Sequence, residues 1–165
     1  CNGHLAPVLE TLEYLRHETQ VWFELTTLLI PGYNDSDAEL DAMISWVVEH
    51  LGVEVPMHFT AYHPDWKLRD APPTPPATLG RARAIARRNG VRHAYTGNVH
   101  DPAGGSTWCH QCGALLIERD WYRLGHWGLD HQGRCQTCAT PCAGVFEPRP
   151  GTWGARRQPV GFAAP

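Results

Sequence analysis

Helix-like and strand-like stretches alternate three times in the first hundred residues, and this alternation restricts the fold more than any other feature of the chain. Leu5, Val8, Leu9, Leu12 and Leu15 recur at helical spacing, with Pro7 in the first turn, where a missing N–H costs little. This stretch is expected to be a packing helix. Residues 21–30, VWFELTTLLI, form a nearly continuous apolar and β-branched run, as expected of a strand covered on both faces. Glu24 interrupts it, either at a layer boundary or inside a polar barrel lumen. Ser36-Asp37-Ala38-Glu39 is a capping box that opens a second helix, whose Leu40, Met43, Ile44, Val47, Val48 and Leu51 share one face and which Gly52 ends. Residues 55–67, VPMHFTAYHPDWK, alternate as a strand and then turn at Tyr62-His63-Pro64. A proline-rich connection leads to a third helix, with Thr74 expected as its cap and Leu79, Ala82, Ile85 and Ala86 on its buried face. Residues 91–95 form the last strand of this series.

Strands joined by crossover helices run parallel, so their C-terminal ends share one face, where α/β proteins place their chemistry. That face is expected to gather Asn34 and Asp35, then Tyr62, His63 and Asp65, then Asn98. Asn34 and Asp35 also have a simpler reading as turn formers, and His63 as a structural hydrogen-bond partner. Arg81, Arg83, Arg87 and Arg88 lie on one helix with no interleaved aromatics, which points to a solvated face rather than a nucleic-acid surface.

A net charge of −3 over 165 residues gives no reason to expect nucleic acid or an acidic membrane as partner. No apolar run approaches the roughly 18 residues of a membrane span. Five of the six cysteines fall between Cys109 and Cys142, beyond a change of composition at Asp101-Pro102-Ala103-Gly104-Gly105. Cys109-x-x-Cys112 and Cys135-x-x-Cys138 have the spacing of two metal knuckles, and four thiolates around one ion leave no open position for catalysis. Structural zinc is expected, with iron in the same S₄ set as the rival. Cys142, just after Pro141, is expected to be spare, with His110, His126 and His131 as further possible donors. Gly113 follows the first knuckle, but Ala139 stands where the second often has glycine. The metal reading implies a reducing, cytoplasmic compartment. Short strands are expected near residues 114–117 and 121–124, and a flexible tail after about residue 148. The expected organisation is therefore an α/β unit over 1–101, a zinc-ribbon-like module over 102–148 and a tail over 149–165.

LLIPGYNDSDAEL, VPMHFTAYHPDWKL, AYTGNVHD and the C-x-x-C-G knuckle together resemble radical S-adenosylmethionine (SAM) enzymes similar to pyruvate formate-lyase activating enzyme. The nearer resemblance is to the radical SAM enzymes of the AmmeMemoRadiSam system. The resemblance implies the C-terminal half of a partial (β/α)₆ barrel that holds a [4Fe-4S] cluster and SAM and generates a 5′-deoxyadenosyl radical. It implies that Leu28 lines the adenine and that His63 contacts SAM. The C-x-x-x-C-x-x-C cluster ligands of that family are absent, since Cys1 stands alone before the late cysteines. The chain by itself is thus expected to be inactive and to hold no catalytic residue. Its expected partners are SAM, the missing N-terminal half of the barrel and an unidentified substrate, small or protein. The alternative is a zinc-ribbon binding module on an α/β scaffold.

Overall fold

The computed structural model describes residues 3–65, 67–152, 154–157 and 161. Cys1 and much of the expected tail lie outside the described residues. The element order is α1 (Leu5–Glu18), β1 (Leu25–Leu29), α2 (Asp37–His50), β2 (Met57–Ala61), α3 (Pro76–Arg88), β3 (Ala94–Gly97), α4 (Pro102–Gly105), β4 (Thr107–Trp108), β5 (Leu115–Asp120) and β6 (Arg123–Trp127).

β1, β2 and β3 form a parallel sheet in that order, with Thr26 beside His58 and His58 beside Tyr95. The helices α2 and α3 bury their apolar faces against one side of it. Leu40, Ile44, Leu51, Leu79, Ala82 and Ala86 meet Leu29, Met57 and Phe59 in a core with almost no accessible surface. Each large side chain buried this completely contributes about 1.5–3 kcal/mol relative to exposure. Ser36 caps α2 by accepting from the Glu39 amide at 3.3 Å.

Four expectations are corrected here. The apolar run 21–30 is not covered on both faces, because the two helices pack on one side only. Val21 and Leu28 are exposed, and the strand itself is shorter, Leu25–Leu29. Thr74 does not cap α3; Pro75 takes that position without a side-chain bond. The Thr74 hydroxyl is instead buried between strands, donating to the Leu29 carbonyl at 2.5 Å and accepting from the Tyr62 amide at 2.9 Å. The arginines of α3 are not simply solvated. Arg81 pairs with Asp37 and Arg88 with Asp41, because the N-terminal half of α2 presents acids to α3, while Arg83 donates to the Ala94 carbonyl of β3 at 2.8 Å. Finally, α1 buries none of its residues; Leu12 only packs partly against the core, and Leu5 and Val8 face outward.

The composition change at residues 101–105 is a tight joint. Asp101 caps the single turn of α4 through the Gly104 amide (2.9 Å) and also accepts from the Thr96 hydroxyl (2.9 Å). A methyl group on Gly104 would collide with both of those side chains. Beyond the joint, β4, β5 and β6 form an antiparallel sheet. Asp120 and Arg123 pair across a two-residue turn whose first residue, Trp121, has φ 53°. A small cluster of Leu116, Ile117, Leu129, Cys109, Cys135 and Cys142 lies beneath it, flanked by Trp127 and Phe146. Among the described residues, no helix is long and apolar enough to cross a membrane.

Candidate metal centre and the two ends of the sheet

The two C-x-x-C turns come together. Cys109 and Cys112 lie at the start of the antiparallel sheet, Cys135 and Cys138 in the loop after it, and their sulfurs all lie within 4.8 Å of one another. Cys109 Sγ is 3.6 Å from Cys138 Sγ, and Cys112 Sγ is 3.7 Å from Cys135 Sγ. A tetrahedron of thiolates about 2.3 Å from a central ion has edges of about 3.8 Å. The four sulfurs are therefore positioned to bind one metal ion. A [4Fe-4S] cube would hold its ligands much farther apart, so this set does not fit such a cluster.

Each knuckle closes with the same backbone bond, Gly113 N–H to the Cys109 carbonyl at 2.9 Å and Ala139 N–H to the Cys135 carbonyl at 2.8 Å. Gly113 and Ala139 both take left-handed backbone, at φ 72° and 60°. Hydrogen bonds from the Thr140 hydroxyl and amide hold the Cys138 thiol down at about 6. At Cys112 the Ala114 amide favours the thiolate, but the neighbouring cysteines, chiefly Cys138, outweigh it and push the thiol up to about 12. Four crowded thiols resist ionising together, which is the situation a divalent cation relieves. Cys142 stands apart from this set. It is buried, 3.9 Å from His93 Nε2, and burial raises its thiol to about 11.

At the C-terminal end of the sheet, His63 is 73% exposed and lies 3.3 Å from Asp65, itself exposed. Leu28 is 44% exposed on β1. Both are accessible to a ligand. The residues expected to join them are otherwise engaged. Asn34 accepts from the Ile30 amide and donates to the Leu28 carbonyl, Asn98 donates to the Ala61 carbonyl, and the Tyr62 hydroxyl donates to the Leu68 carbonyl. These three shape the loops rather than form a site. No second arrangement suited to a cluster is found among the described cysteines.

At the opposite, N-terminal end, the helix-free face carries a polar group that sequence reasoning missed. Glu24 accepts from Trp22 Nε1 at 3.2 Å and lies 2.6 Å from His58 Nε2; His58 stacks on Tyr95 with ring centroids 4.9 Å apart. Arg119, from β5 of the other sheet, sits over the Tyr95 ring at 5.6 Å and donates to Thr107 Oγ1 at 2.6 Å. Burial works against ionisation of Glu24, but hydrogen bonds from His58 and Trp22, with the charges of His58 and Arg119, hold its carboxyl below the usual range. The only signal in the sequence was Glu24 itself, a charge inside an apolar run. Its side chain lies on the face of the sheet that carries His58 and Tyr95, away from α2 and α3.

No protein-family profile matches the chain. Over 139 residues it is 44% identical to an uncharacterized protein of the archaeon Methanocaldococcus jannaschii. That alignment takes in 84% of this chain and 41% of the archaeal protein, so the chain spans less than half the length of the relative it matches.

Proposed function

We propose that this chain is the C-terminal part of a radical SAM enzyme, with its parallel sheet lining one side of the SAM site and a zinc ribbon closing the unit. The observation that carries the reading is the exposure of Leu28 and His63 at the C-terminal ends of neighbouring parallel strands, on a sheet whose second face is free of helices. The motif resemblance assigns those two positions to SAM. A bound SAM would bury the His63 ring and convert an exposed polar group into a hydrogen-bonded wall of the pocket. SAM held beside a reduced [4Fe-4S] cluster would supply a 5′-deoxyadenosyl radical. Among the described residues no set fits that cluster, and in this reading its ligands would come from elsewhere in the full-length protein. The four cysteines would hold a structural zinc, remote from any redox step.

The test is calorimetric titration of SAM into the full-length protein and its His63→Ala variant. A lost hydrogen bond that leaves a buried partner unsatisfied costs about 1–3 kcal/mol, so the variant is expected to bind roughly tenfold more weakly. Unchanged affinity would overturn the assignment of His63. The absence of a C-x-x-x-C-x-x-C motif in the full-length protein would overturn the enzyme reading and leave the ribbon as a binding module on an α/β scaffold.

A further inference from the structure

A cleft of about 340 Å³ lies between the two sheets, lined by Trp22 and Tyr95 from the parallel unit and by Arg119, Leu124, Trp127 and Phe146 from the cysteine-bearing unit. A second cavity of about 290 Å³ shares Glu24, Tyr95 and Arg119 with it and adds His58. Together they form a space of the size that ordinary small-molecule ligands occupy, with a polar end and an aromatic end.

Two side chains lining the larger cleft keep donor N–H groups without an acceptor among the described residues. Trp127 Nε1 is buried and unpartnered. Among the described residues, Arg119 hydrogen-bonds through one guanidinium nitrogen, to the Thr107 hydroxyl and the Gly105 carbonyl, and no carboxylate lies within ion-pair distance of it. Glu24, the acid nearest in effect, is committed to His58 and Trp22. Indole and guanidinium groups can only donate, so a group that completes either is an acceptor, and beside Arg119 a negatively charged one.

We propose that this cleft binds a small organic monocarboxylic acid, with the carboxylate on Arg119 and an aromatic or aliphatic body against Trp22, Leu124, Trp127 and Phe146. The Glu24–His58 pair limits the charge the site accepts. A second carboxylate on the ligand would face Glu24, whereas a hydroxyl or amine there would meet the His58–Glu24 pair. The site lies at the N-terminal ends of the strands, away from Leu28 and His63, and uses neither residue; it stands independently of the radical SAM reading.

The experiment is an NMR titration of the metal-loaded chain with 2-naphthoate and, separately, with the uncharged 2-naphthamide. 2-Naphthoate is expected to bind at least about tenfold more tightly. The Trp127 indole N–H and Arg119 Nε–H signals should move most. Arg119→Gln should remove the preference for the acid, and Leu124→Ala should weaken both probes by a similar factor. Equal affinity of the two probes for the unaltered protein would overturn the proposal, and that arm needs no variant to fold. So would no binding of naphthoate below roughly millimolar concentration, or signal changes confined to another surface.

Discussion

The two sheets are held together in different ways. The parallel sheet rests on a core built only from aliphatic side chains, methionine and phenylalanine, gathered from three strands and two helices. In the antiparallel unit, half of the buried cluster is cysteine. The first unit removes a contiguous apolar cluster from water, the effect that opposes the entropy of ordering its chain. The second buries few apolar side chains, and its four cysteines are positioned to bind a metal ion that would supply the difference. Burial thus stabilises one part of the molecule, and coordination of a metal is available to stabilise the other.

The largest effect expected from this contrast is selective unfolding. Stripping the metal with a mercurial should release one zinc per chain and abolish the amide dispersion of residues 107–142, while the Phe59 and Ile44 signals persist. Structural zinc at such sites contributes on the order of 10 kcal/mol of apparent free energy. Cys135→Ser should behave like stripped protein, and Cys142→Ser should retain one zinc. If the parallel sheet unfolded together with the ribbon, the division drawn here would be wrong.

An intermediate effect is expected at His93, where the units meet. Burial, and then the positive charge of His110, depress its pKa from an ordinary 6.5 to about 4. The unfolded chain therefore binds the extra proton throughout that window, and stability falls as pH drops from about 6.5 to about 4, by on the order of 3 kcal/mol at most. Urea unfolding at pH 7 and pH 5 should show a smaller acid loss in His93→Gln than in the parent. Equal losses would mean that folding does not depress the His93 pKa.

The smallest effect is at Ala139, held at φ 60° where the matching knuckle has Gly113. A left-handed alanine costs about 1–2 kcal/mol, partly recovered because glycine is freer when unfolded. Ala139→Gly is expected to raise the resistance of the metal site to stripping by about 1 kcal/mol or less. A lower midpoint would show that the second knuckle is not strained.

The elements that sequence reasoning located are those with a local cause. Leu40, Ile44, Val47 and Leu51 state their helix by spacing alone, and each C-x-x-C turn states its own geometry. What remained hidden depends on contacts between distant residues. Thr74 looked like a helix cap because it precedes two prolines, and nothing local announced that its hydroxyl would join the ends of β1 and β2. Glu24 and His58 meet across 34 residues, and Arg119 reaches Tyr95 from another sheet. The exposure of Leu28 was equally illegible, because an apolar run does not say how many layers cover it.

The crowding at Gly104 bears on how the cysteine unit is aimed. A connecting turn with no space for one additional carbon has few torsional alternatives, and Asp101 fastens it to Thr96 of β3. The direction in which β4 leaves the sheet is therefore set by a handful of backbone angles as well as by the contacts that Thr107 and Arg119 make with Tyr95. Arg119 reaches Tyr95 as a lever arm does, from a pivot whose angle is fixed in the chain itself.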